Sequence, residues 1–204
     1  MIRRHPALFL FTLAYLALAG VMAARAGNSE FIFYGLVLLA IIGMVLWADR
    51  EARFSGFVLW GLSIWGLLHL AGGTVPIPTS DGSHAVLYDW WIIPPSTLKF
   101  DNVVHAFGFF VTTLACSQVL RRFLDPAARP TLALPVLTCM MGMGFGAMNE
   151  VIEFLATRLF PHTNVGDYVN NALDLCWNFA GCLLATIIVW VGQFQRGSVK
   201  TAPM

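Results

Sequence analysis

Six stretches of the chain are apolar almost throughout: residues 6–24, 31–48, 54–72, 102–120, 131–156 and 171–192. Each is close to the ~20 residues that an α-helix needs to cross the hydrocarbon of a bilayer. Only a helix or a closed barrel satisfies its backbone hydrogen bonds in lipid, and none of the six shows the alternation of a barrel strand. The pattern therefore predicts an all-α, polytopic membrane bundle of about six transmembrane helices, with residues 1–204 forming a single integral membrane domain. Short polar segments join the helices, apart from one long connection at residues 73–100.

That connection carries Pro76, Pro78, Pro94 and Pro95, with Tyr88, Trp90 and Trp91 among them, and its Asp81-Gly82 pair predicts a turn. Tryptophan and tyrosine favour the headgroup layer, so residues 90–93 are expected along the membrane surface as a partial cap. The first apolar stretch has a second reading. Arg3, Arg4 and His5 precede it, and Ala24-Arg25-Ala26 resembles the cleavage site of a secretory signal. Its length exceeds the roughly 7–15 apolar residues of such signals, so a retained helix is expected.

Composition agrees with the pattern. Of 204 residues, 58% are hydrophobic and 11% charged, and the mean hydropathy is +0.72; an average soluble domain is about 25% charged. The net charge of +1 carries no basic stripe of the kind nucleic acid requires. Placement of the charges says more than their sum. Arg3, Arg4, Arg50, Arg53, Arg121, Arg122, Arg129, Arg196 and Lys200 fall on one side of the six spans, whereas Arg25, Lys99 and Arg158 fall on the other. The positive-inside rule then puts both termini in the cytoplasm and the long connection outside. The four cysteines, Cys116, Cys139, Cys176 and Cys182, lie in apolar runs without metal-ligand spacing, and are expected to act as packing residues.

An ionisable group within a span costs ~2.5–3.5 kcal/mol at mid-bilayer and so marks a place of interest. Asp101 and His105 are one turn apart at the start of the fourth span; Asn149, Glu150 and Glu153 lie near the end of the fifth. Asp167 precedes the sixth span, and Asn170, Asp174 and Asn178 repeat along it at four-residue steps, which gives them one helix face. With the orientation above, all these side chains fall in the outer half, and His69 of the third span lies at a compatible level. Gly142 and Gly146 form a line with Glu150 along which a neighbouring helix can approach closely. Each group also has a plain structural reading: Asp101, Asn102 and Asn171 as helix N-caps, Asp167 as a loop residue, Asn149 and Asn178 as interhelical glue, His69 as a satisfied core histidine. Glu150 and Glu153 have none. Carboxylates crowded in a poorly solvated layer must share protons, bind a cation or meet a cationic ligand.

The pattern Asp101-x3-His105, Glu150-x2-Glu153 and Asp167-x6-Asp174-x3-Asn178-x2-Gly181 resembles that of VanZ-like and YjdF-like bacterial integral membrane proteins. The resemblance covers residues 101–181 and leaves the first three spans without a signature; Asn170 and Glu153 stand where the family pattern admits Asp and Gln. It implies a multi-pass protein of the cytoplasmic (inner) membrane whose acidic and histidine positions face outward. For the VanZ-like branch it also implies an association with resistance to a glycopeptide antibiotic that acts at the cell envelope.

Three functions remain open at this point. In the first, an envelope enzyme acts on a lipid or lipid-linked precursor: Glu150, Glu153 and His105 are its catalytic candidates, Asp101, Asp167, Asp174 and Asn178 bind the ligand, and His105, Glu150, Glu153 and Asp174 hold a divalent metal ion. In the second, the same groups serve a cation- or proton-coupled small-solute transporter. In the third, a non-catalytic binding or scaffold protein holds an envelope ligand. All three place the chain in the lipid bilayer, and none calls for nucleic acid.

Overall fold

The computed structural model describes residues 4–26, 29–79, 85–94, 98–124, 131–160, 163 and 166–200; Asp81-Gly82, Pro95, Arg3 and Arg129 lie outside them. Among these residues the chain forms six helices: α1 (Pro6–Ala26), α2 (Ser29–Ala52), α3 (Gly56–Thr74), α4 (Phe100–Leu120), α5 (Ala133–Leu159) and α6 (Tyr168–Lys200). Each overlaps one of the expected spans; α3 and α5 begin two residues after theirs, and all six run past theirs at one end or both. The all-α membrane bundle is thus observed. Within α2, α3, α4 and α6, the segments Ile32–Ala52, Gly56–Thr74, Phe100–Leu120 and Tyr168–Gly192 are long and apolar enough to cross a bilayer. The apolar segment of α1, Pro6–Met22, is shorter, and α5 includes Asn149, Glu150 and Glu153.

The first half of the chain closes around two apolar clusters. Leu8, Phe54, Val58, Val111 and Ala115 join α1, α3 and α4, and Tyr15, Leu38 and Leu70 join α1, α2 and α3. Several buried polar groups are paired here. Arg4 grips both carboxylate oxygens of buried Asp49, at 2.6 and 2.5 Å, while Asp49 Oδ1 accepts the Phe54 N–H at 2.9 Å. The two acceptor bonds hold the α2–α3 corner, where Arg53 adopts a left-handed φ of 48°, a conformation that costs a non-glycine residue ~1–2 kcal/mol. Ser55 then caps α3 by accepting the Val58 N–H. Thr12 and Ser63 share a hydroxyl bond of 2.7 Å between α1 and α3.

The second half is tighter. Without a hydrophobic drive between helices in lipid, close approach depends on small residues. Gly61 leaves room for Val111 and Gly108 for the Trp65 ring, which seats α3 on α4. Gly142 faces Thr113 and Cys182, and Gly146 faces Asn178, so the glycine line expected on α5 does receive its neighbours. At Gly181 the approach is backbone to backbone: a Cβ there would collide with the Ala106 carbonyl and press on the Phe110 N–H. Phe109, Cys139 and Cys182 form the apolar cluster of this half. The cysteines are free, and Cys116, Cys139 and Cys182 are buried as expected; Cys176 is exposed, because two residues from inward-facing Asp174 and Asn178 is the opposite face of the helix.

The long connection is more ordered than a loop. Pro76–Ile77 (β1) pairs antiparallel with Ala85–Val86 (β2), and Trp91–Ile93 (β3) with Leu98–Lys99 (β4). A 3-10 turn at Leu87–Asp89 lies between the two ribbons and packs on α3 and α4. Residues 90–93 are exposed, and Tyr88 reaches the bundle, its ring filling the space over Gly72.

Candidate functional site

Helix α4 begins, α5 ends and α6 begins at the same end of the bundle as the last turn of α3, so the polar residues of four helices are drawn to one level. Lys99 is the N-cap of α4, and the Asn102 side chain turns back to accept its N–H at 3.0 Å. Asn102 therefore takes the capping role that was open to Asp101. Asp101 is left free to face inward, one turn above His105, with Oδ1 3.4 Å from His105 Nε2. The other ring nitrogen, Nδ1, meets Asn178 Oδ1 at 3.0 Å and Glu150 Oε1 at 3.5 Å.

Each carboxylate is oriented by an amide. Asn178 Nδ2 donates to Glu150 Oε1 at 3.1 Å and Asn171 Nδ2 to Glu150 Oε2 at 2.8 Å. Asn149 Nδ2 donates to Glu153 Oε1 at 2.7 Å. Asn170 Nδ2 donates to Asp174 Oδ2 at 2.7 Å and to Asp101 Oδ2 at 3.3 Å. Asn171 thus serves Glu150 rather than a helix cap, and the stripe Asn170, Asp174, Asn178 faces one cluster as its spacing predicts.

Four carboxylates and one imidazole result, all buried: Asp101, His105, Glu150, Glu153 and Asp174 are 7, 3, 5, 8 and 0% exposed. Asp174 Oδ1 is buried with no hydrogen-bond partner. No Lys or Arg forms an ion pair with these carboxylates among the described residues. Lys99 instead holds its Nζ 5.2 Å from the centre of the Trp91 ring. Two sets of three residues bring one ligand atom each within 4.8 Å of one another: Asp101, His105 and Asp174; and Glu150, Glu153 and Asp174. Either can hold a metal ion, and Asp174 belongs to both.

Among the sequence candidates, Asp101, His105, Glu150, Glu153, Asp174 and Asn178 converge. Asp167 does not join them: it is exposed, and its carboxylate accepts the Asn170 N–H at 3.0 Å at the start of α6. The groups form one buried cluster. Tyr88 is the neighbour that sequence reasoning did not assign. Its hydroxyl donates to the His69 carbonyl at 2.9 Å and stands 2.6 Å from His69 Nδ1, which in that arrangement donates to the phenol oxygen. His69 is the satisfied histidine expected, flanked by Trp65 and Tyr34. Burial first, and then the charges of Asp101 and Glu153, push the Tyr88 phenol well above the ordinary tyrosine range, so it remains a donor. A loop tyrosine beside two tryptophans carries only an interfacial signal in sequence.

The family described as "Predicted membrane protein (DUF2238)" matches residues 7–194. Neither a curated protein nor a solved structure matches the chain.

Proposed function

We propose, from the premise that the chain belongs to the DUF2238 family of predicted membrane proteins, that it holds a divalent cation in the acid and histidine cluster. With that cation it binds or acts on the polar headgroup of a cell-envelope lipid or lipid-linked ligand. The observation that carries this reading is Asp174: fully buried, with one carboxylate oxygen unpartnered, and common to two sets of ligand-spaced groups. A buried carboxylate in that state is costly unless paired with a cation. The amides on the remaining oxygens are the partners that orient metal ligands, and the mixture of carboxylate and imidazole suits Zn, Mn or Fe better than a soft-metal site.

A cation held there supplies Lewis acidity toward a phosphoryl or carbonyl oxygen. The chain's own residues bring the cluster to the end of the helices, next to the headgroup layer, and Tyr88 bounds it on the α3 side. The charge distribution of the connecting segments supports an outward orientation and cytoplasmic termini. The resemblance of residues 101–181 to VanZ-like and YjdF-like proteins supports an inner-membrane, envelope setting. A carrier normally puts its site near the midplane, between repeats; a cluster at one end favours headgroup chemistry over transport.

Elemental analysis of detergent-purified protein tests the reading. Stoichiometric divalent metal is expected, with at least a tenfold loss in Glu150→Gln or Glu153→Gln that still elutes as a folded species. Protein that stays metal-free after exposure to Zn²⁺ and Mn²⁺ overturns it.

A further inference from the structure

The two ligand sets share one residue, and that sharing has a chemical meaning. We infer that the cluster is a binuclear site, in which Asp174 is the bridging carboxylate between one divalent cation on Asp101 and His105 and a second on Glu150 and Glu153. The inference rests on the cation reading above and goes beyond it in number, bridging and ligand assignment.

Charge is the first argument. Asp101, Glu150, Glu153 and Asp174 carry four negative charges when ionised, and no Lys or Arg is paired with them among the described residues. One divalent cation beside a neutral imidazole ligand leaves two charges for protons to neutralise in a buried site. Two such cations balance the four carboxylates. Geometry is the second. Ligand atoms about 2.1 Å from a shared metal sit about 3.0–3.4 Å apart at the edges of an octahedron or tetrahedron, and His105 Nε2 and Asp101 Oδ1 are 3.4 Å apart. Metals bridged in this way lie ~3.5–4 Å from one another, and Asp174 meets both sets with all ligand atoms inside 4.8 Å.

The third argument is the state of Asp174 itself. Asn170 occupies Oδ2, whereas Oδ1 is 0% exposed in residue terms and has no hydrogen-bond partner. Each outer ligand has a fixed second contact: Asp101 with Asn170, His105 with Asn178, Glu150 with Asn171 and Glu153 with Asn149. Asn178 contacts His105 and Glu150 alike, so the two sets lie side by side, and Asp174 is the one residue common to both. The ligand class for the completed site is a phosphate or phosphate ester, whose oxygens can span two cations.

Mn²⁺ titration of the full-length, chelator-stripped protein in detergent, read by isothermal calorimetry and electron paramagnetic resonance, tests the inference. Two Mn²⁺ per chain with the signature of an exchange-coupled pair are expected. Asp101→Asn should reduce the count to one with an uncoupled spectrum, and Glu153→Gln should do the same from the other side. Asp174→Asn should abolish the coupling. One uncoupled Mn²⁺ in the wild-type protein, lost alike in Asp101→Asn and Glu153→Gln, overturns the binuclear site and leaves the single-cation reading standing. No Mn²⁺ bound by folded protein overturns both.

Discussion

Asp49 and Asp174 are both buried carboxylates on membrane helices, and their surroundings are opposite. In the first half of the molecule, Asp49 is held by Arg4 and by the Phe54 N–H, so its charge is compensated inside the fold. In the second half, Asp174 lies among three further acids with one oxygen unmatched. A single buried charge is a structural element when its partner comes from the chain. Several together, each steadied by a neutral amide, are the basis of the cation site proposed above. The glycines divide in the same way. Gly20 and Gly43 on α1 and α2 have open space where a Cβ would stand, whereas Gly142, Gly146 and Gly181 around the cluster, like Gly61 and Gly72 on α3, are pressed against their neighbours.

The strongest way to break this contrast is at the glycines. Gly181→Leu must force α6 off the Ala106 carbonyl, an overpacking that costs about 3 kcal/mol, the upper end of the usual range; most of the folded species should disappear from size-exclusion profiles. Gly20→Leu, on a helix surface with nothing nearby, should leave the profile unchanged and gain a few tenths of a kcal/mol from helix propensity. Equal damage from the two would mean that the halves are packed alike.

A smaller and more informative effect is expected at the carboxylates. In chelator, Asp49→Asn removes a charge-assisted bond and should destabilise by about 1–2 kcal/mol. Asp174→Asn removes an uncompensated charge and should stabilise by on the order of 1 kcal/mol. Thermal unfolding in detergent reads both, and two shifts of the same sign would erase the distinction between the halves. The smallest effect on the cluster itself belongs to Tyr88→Phe, which keeps the ring over Gly72 and loses the hydroxyl bonds to His69. A loss of about 1 kcal/mol is expected, with the Mn²⁺ count unaltered, because Tyr88 bounds the cluster without being one of its ligands.

What was legible in the sequence follows from what the bilayer penalises. Apolar runs of the required length mark all six helices, and the cost of intramembrane charge draws attention to Glu150, Glu153, Asp174 and His105 before any coordinates. The four-residue steps of Asn170, Asp174 and Asn178 fix a shared face; the outward turn of Cys176, expected to pack with the other cysteines, was missed although the same periodicity carries it. Capping at α4 was not legible. Lys99, Asp101 and Asn102 lie within four residues, and a shift of one in the helix start turns every side chain by about 100°; the structure assigns the cap to Lys99 with Asn102, and that choice aims Asp101 at His105. Nor was Tyr88 legible, since its place depends on a cavity above Gly72 that only the assembled α3 creates. The paired ribbons around it are two or three residues long, too short to leave an alternating pattern.

The meeting of Gly181 with the Ala106 carbonyl places a fulcrum beneath the cluster. Ala106 adjoins His105, and Asp174 stands seven residues along α6 from Gly181, about 10 Å at 1.5 Å per residue. Were α6 to rock by roughly 10° about that point, Asp174 would travel about 2 Å, close to the length of a metal–oxygen bond. Two touching backbones leave little room for such rocking, so the spacing of the clustered side chains is set less by the acids themselves than by one hydrogen atom standing where every other amino acid would put carbon.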